Sequence, residues 1–182
     1  MKPLYIISFI AILAIGLFVF NKKDSVNTYV SGILVEYDSK SLITDSSLIA
    51  IGRVESIKYV EEESTIRSDE NDIFTIAELQ IEKQILPKDS ENTKIYIKTL
   101  GGTFGNKSLM ATDWPKFKED ERVLVFLNKD PNSDYYSVTG LTQGKYELSD
   151  TNQLGVSDEE REIVRKVFGT DMTTGDLEIE LQ

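Results

Sequence analysis

The sequence predicts a mainly β domain with one C-terminal helix, a small antiparallel barrel or sandwich set behind an apolar N-terminal segment that reads as a transmembrane helix. Three observations predict it. Segments rich in β-branched residues recur between about residues 47 and 148, separated by Gly, Pro, Asn and Asp. A single stretch after residue 156 carries helical start, stop and periodicity signals together. The first twenty residues contain a charge only at Lys2.

That first segment runs from Leu4 to Phe20 without a charged residue and is closed by Lys22 and Lys23. At about 1.5 Å per residue it reaches roughly 25 Å, near the lower limit for a hydrocarbon core of about 30 Å. A cleaved secretory signal has the same opening pattern, yet it needs small residues at the cut, and Leu17 to Phe20 are all bulky. Ala14 and Gly16 are the best cleavage pair, and they shorten the apolar region markedly. Residues 1–23 are therefore expected to form an uncleaved anchor, with a cleaved signal and a buried core helix as alternatives. The short head favours a cytoplasmic N-terminus, which places the C-terminal domain outside the cytoplasm on a single-pass membrane protein. A secreted product is the alternative localisation.

Residues 24–46 read as a linker with a short amphipathic helix, because Val30, Ile33, Leu34 and Tyr37 fall at helical spacing. The β domain is expected over 47–169. Residues 47–60 make a first strand with a bend or bulge at Gly52, and the charged run from Glu61 to Asp72 makes a loop. Alternation of Ala77, Leu79 and Ile81 with Glu78, Gln80 and Glu82 marks a second strand with one wet face, ended by Pro87. Ile95 to Leu100 forms a third, leading into the glycine-rich loop 101–106. Asp113-Trp114-Pro115 interrupts pairing, and the continuous apolar run from Arg122 to Asn128 reads as a central strand buried on both faces. Turn residues 129–134 connect it to Tyr135–Val138, and a last strand lies near 144–148.

Ser157 with Glu160 makes a capping box, and Gly169 stands where a left-handed C-cap belongs. Ile163, Val164, Val167 and Phe168 share one face, so a closing helix over 157–168 packs on the sheet. Residues 170–182 read as an acidic tail, with Leu177, Ile179 and Leu181 alternating as in an edge strand.

Composition excludes much chemistry. The 182 residues contain no Cys and no His, which removes disulfides, thiolate nucleophiles, imidazole bases and every Ser-His-Asp or Cys-His arrangement. A net charge of −11 disfavours nucleic acid as a partner, since counterion release needs a basic groove. Gly102-x-x-Gly105-x-Lys107 lacks the gap of a phosphate-binding loop and opens no helix. Asp130-x-Asn132-x-Asp134 has the oxygen spacing that begins a calcium loop, but Tyr135 occupies the turn-glycine position and Leu141 the closing-glutamate position. A hairpin turn accounts for it, and solvated acidic loops account for Glu61–Glu63 and Asp69–Asp72. Calcium is left as a weak cofactor candidate, and no other cofactor is expected.

No catalytic residue is assigned and no enzyme is expected, although Asp113, beside Trp114 at a break between strands, is the acid in the most distinctive setting. The aromatics Phe104, Trp114, Tyr135 and Tyr136 fall in or beside the predicted loops and hairpin, together with Phe117 and Tyr146. Core and rim packing is the ordinary role for such residues, and stacking on a sugar or peptide is the functional one. Phe104, Trp114, Tyr135 and Tyr136 are the candidate ligand contacts.

The order Ser46-Ser47-Leu48-Ile49-Ala50-Ile51-Gly52-Arg53-Val54, then Gly101-Gly102, then Phe117-x-x-x-Glu121-Arg122-Val123-Leu124-Val125-Phe126-Leu127, then Tyr136-x-Val138-Thr139-Gly140 and Gln143-Gly144-Lys145-Tyr146 resembles a set of extracytoplasmic OB-fold-like β-barrel domains. These are distantly similar to the netrin-like modules that include tissue inhibitors of metalloproteinases. The resemblance covers about residues 44–148 and implies an OB-like antiparallel barrel. The inhibitors' zinc-ligating cysteine and bracing disulfides have no counterpart here, so their mechanism does not transfer. The expected function is a membrane-anchored extracytoplasmic module that binds an envelope protein, a peptide or a glycan without catalysis. A structural or assembly role in the envelope is the alternative, followed by a carboxylate-based hydrolase.

Overall fold

A computed structural model describes residues 25–32, 35–64, 67, 69–88 and 92–180. The expected anchor, residues 4–20, lies outside the described residues. Among the described residues no helix is long and apolar enough to cross a membrane.

The described residues hold nine strands and three helices. The strands are β1 (Val26–Val30), β2 (Leu48–Glu63), β3 (Asn71–Leu86), β4 (Lys94–Leu100), β5 (Gly102–Phe104), β6 (Lys107–Ala111), β7 (Arg122–Lys129), β8 (Tyr135–Val138) and β9 (Lys145–Glu147). The helices are α1 (Ser39–Thr44), α2 (Asp158–Phe168) and α3 (Thr174–Glu180), with a 3₁₀ turn at Leu141–Gly144. The larger sheet runs β2-β3-β4-β8-β7-β9, and β2 also pairs with β7, so the pairing order returns to β2. Its ladders are antiparallel except β4 with β8. A second sheet of three strands runs β1-β6-β5.

β2 and β3 are each sixteen residues long, so Glu61–Glu63 and Asn71–Asp72 lie in strands where Glu61–Asp72 was expected to be a loop. The glutamates stay in the ladder because their charges are matched across strands. Glu61 Oε1 accepts from Lys107 Nζ at 2.5 Å and Glu62 Oε2 from Lys98 Nζ at 2.6 Å. The bulge expected at Gly52 is present as a register shift between Ile51 and Gly52. A Cβ there would stand 2.4 Å from the Gln80 carbonyl oxygen, so only glycine admits this backbone approach.

Period-two alternation divides β2 and β7 between two cores. Leu48, Ala50, Val54, Val123, Val125 and Leu127 face one cluster with Leu79, Ile95 and Ile97. Ile49, Ile51, Leu124 and Phe126 face the other, which Leu42 of α1, Val164 and Val167 of α2 and Leu177 of α3 cover. The central position expected for β7 follows from this double burial. A third cluster, Ile73, Leu100, Leu109 and Ala111, lies under the small sheet, with Val30 and Trp114 packed on it.

α2 begins at the Ser157–Glu160 capping box and ends at Gly169 in the left-handed region, as the sequence predicts. Within 24–46 the short helix is α1, which begins after Asp38, whose carboxylate accepts from Ser41 N–H at 2.7 Å; of the residues at helical spacing, Val30 lies in β1, and Ile33 and Leu34 lie outside the described residues. The β-branched Val-Asn-Thr-Tyr-Val run favours a strand. The acidic tail is neither loose nor an edge strand over 174–180. Asp176 accepts hydrogen bonds from the Thr173 amide at 2.9 Å and hydroxyl at 2.7 Å, opening α3, and Leu177 is wholly buried.

Candidate functional site

Trp114, Tyr135 and Tyr136 line one cavity of about 400 Å³ at the seam where β4 meets β8. Phe74 of β3, Lys98 of β4 and Lys129 of β7 complete its walls. Phe104 is not part of it; this residue ends β5 and is exposed. Three of the four candidate contacts therefore come together from distant positions in the chain, and the fourth does not join them.

Each wall has a local cause. The parallel β4–β8 ladder is short, Tyr96 to Tyr135 and Ile97 to Tyr136, and β8 is held on its other side by its hairpin with β7. That hairpin turns on Asp130. Its Oδ1 accepts from Asn132 N–H at 2.8 Å and its Oδ2 from the Ser133 hydroxyl at 2.8 Å. The Asn132 amide first, then the Ser133 hydroxyl, with the Lys98 and Lys129 charges adding, hold the Asp130 carboxyl below its ordinary range. The carboxylate that began the calcium-like spacing is thus part of the turn. Among the described residues no group of three acids is gathered as a metal site.

Trp114 enters because Asp113 and Pro115 end the pairing after β6. The chain after β1 crosses it closely: Gly32 N–H donates to Asp113 Oδ2 at 2.8 Å, and a Cβ on Gly32 would meet the indole at 3.1 Å. Asp113 therefore ties this crossing segment to the rim of the cavity. Farther along, Tyr37 N–H donates to Gln143 Oε1 at 3.0 Å, and Gln143 Nε2 donates to the Val35 carbonyl at 2.8 Å.

The cavity's cations lie on its rings. Lys98 Nζ stands 4.3 Å from the Phe74 centroid and 5.5 Å from that of Tyr135, and Lys129 Nζ is 4.8 Å from that of Tyr136. Lys98 is also paired to Glu62, while Lys129 meets the fully exposed Asp134 only at 3.7 Å. The result is an aromatic trough with one cation neutralised and one available to a ligand at low cost. Sequence reading missed Phe74, Lys98 and Lys129. Lys98 alternates with Ile95 and Ile97 and so marks the outer face of β4, but nothing in one strand indicates which ring lies across from it.

No protein-family model matches the chain, and no curated protein matches it either.

Proposed function

We propose that the chain is a binding module, held at the cell membrane by residues 4–20 with its domain outside the cytoplasm, which receives a protein, peptide or glycan partner in the Trp114–Tyr135–Tyr136 trough without chemical change. The observation that carries this reading is the convergence of four rings, Phe74, Trp114, Tyr135 and Tyr136, and two ammonium groups on one open cavity, where aromatic faces stack on a ligand and the lysines orient it. An OB-like barrel is the scaffold we infer. The five-strand order that returns to β2, antiparallel except at β4–β8, supports it.

Trp114 is the chain's single tryptophan, so its emission reports on the trough directly. Titration of the full-length protein in detergent with peptide and glycan panels is expected to give a saturable change. Tyr136→Ala is expected to weaken it about tenfold while leaving far-UV circular dichroism unchanged. A flat response to every candidate would overturn the proposal.

A further inference from the structure

Among the described residues the small sheet has an unpaired edge. β1 pairs with β6 on one side, and among the described residues no strand pairs with its other side. Proteins usually protect such an edge with lysine, proline or a bulge, because its free amides and carbonyls accept a further strand. Here the edge reads Val26-Asn27-Thr28-Tyr29-Val30, with no charge and no proline. Four of the exposed large apolar residues, Val26, Tyr29, Phe104 and Met110, lie on this sheet.

The hydrogen-bond phase of the edge is fixed by its inner ladder. Val26 N–H donates to the Asn106 carbonyl at 3.1 Å, and the Val30 carbonyl accepts from Thr112 N–H at 3.2 Å. In a parallel ladder alternate residues turn inward, so Val26, Thr28 and Val30 bond β6 and the backbone groups of Asn27 and Tyr29 point outward. These two free residues are placed symmetrically about Thr28. An antiparallel copy of the same strand, turned about Thr28, sets Asn27 opposite Tyr29 and Tyr29 opposite Asn27, and every outward donor meets an acceptor. Val26 then stands against Val30, both faces match in kind, and no charge opposes another. In a chain of net charge −11, two copies meet with least repulsion where the surface is neutral.

We infer that two copies of this chain pair edge to edge through β1, antiparallel about a twofold axis at Thr28, joining their small sheets into one. The occupant is a second copy because the strand's polar pattern and its outward backbone groups share one centre of symmetry. The inference stands apart from the aromatic trough and does not depend on its ligand.

The absence of native cysteine makes the test direct. Across the axis the Thr28 pair is non-hydrogen-bonded, with Cα atoms about 4.5 Å apart, inside the range a disulfide spans. The two Val26 residues lie four positions out of register, about 13 Å apart, and cannot be bridged. Full-length Thr28→Cys and Val26→Cys proteins in membranes, treated with a mild oxidant, are expected to give a disulfide dimer for the first and none for the second. Adding Tyr29→Pro, which removes an outward-facing amide from each copy and none that bonds β6, is expected to lower the cross-linked fraction of Thr28→Cys at least tenfold. The unmodified protein in detergent is expected to show dimer mass by light scattering. Equal cross-linking at both positions, no cross-linking at Thr28→Cys, or a monomer mass for the unmodified protein would each overturn the inference.

Discussion

Tyr146 is wholly buried against Phe126 and Phe168, edge-on to the first at 6.2 Å between ring centroids, and its hydroxyl has no hydrogen-bond partner among the described residues. Burial pushes the phenol far above its ordinary range, so in the folded protein it stays neutral. A buried hydroxyl without a partner opposes folding by about 1 kcal/mol or more. Tyr146→Phe keeps the ring packing and removes that cost, so it is expected to raise the melting temperature by several degrees. The sign with pH follows from the raised folded value. Tyrosinate forms in the unfolded chain first, so stability is complete below about pH 10 and falls as pH rises beyond it. The fall measured by urea unfolding is expected to be shallower in Tyr146→Phe, and parallel curves for the two proteins would exclude this role for the hydroxyl. Glu121 and Lys145 show the opposite solution to burial: they pair at 2.9 Å, and Glu121 Oε1 also accepts Lys118 N–H. Trp114, Tyr135 and Tyr136 were legible as rings in or beside the predicted loops and hairpin, whereas Phe74 and the orphan hydroxyl were not. Tyr146 alternates like any strand residue, and only its neighbours decide whether a phenol finds water.

At the scale of elements, local signals were readable where the cause is local. The Ser157–Glu160 box, the Gly169 cap and the break at Asp113-Trp114-Pro115 act within a few residues, and the helix and the chain break stand where those signals put them. The three strands of the small sheet were not legible. β5 holds only Gly102, Thr103 and Phe104, and β1 pairs with β6 across some eighty residues of sequence, so their identity rests on pairing and not on period. The acidic composition of 170–182 reads as a tail and the alternation of Leu177, Ile179 and Leu181 as an edge strand, yet burial of Leu177 in one cluster with Met172 outweighs both signals of a short segment. Leu177→Ala is expected to cost about 2–3 kcal/mol in urea unfolding, the range for a leucine removed from a packed core. A change below about 0.5 kcal/mol would mean that α3 does not dock.

For the whole molecule, the proposed anchor makes topology the decisive measurement. Cells carrying the full chain, tagged at the C-terminus, are expected to yield it at full mass in membranes, with the domain digested by protease added to intact cells. Protection until lysis would put the domain on the cytoplasmic side and overturn the extracytoplasmic reading; a shortened soluble product would make residues 1–23 a cleaved signal.

What the sequence by itself determined is the mainly β class, the central place of β7, the closing helix and the absence of thiol and imidazole chemistry. Each of these depends on residue type or on a period of two or 3.6 along one segment. Tertiary structure alone decided that β2 pairs with both β3 and β7, that Phe104 stays apart from Trp114, Tyr135 and Tyr136, and that Lys98 lies over Phe74. Those outcomes depend on which strands become neighbours, and neighbour choice is set by the complementarity of two distant surfaces, which neither segment carries alone.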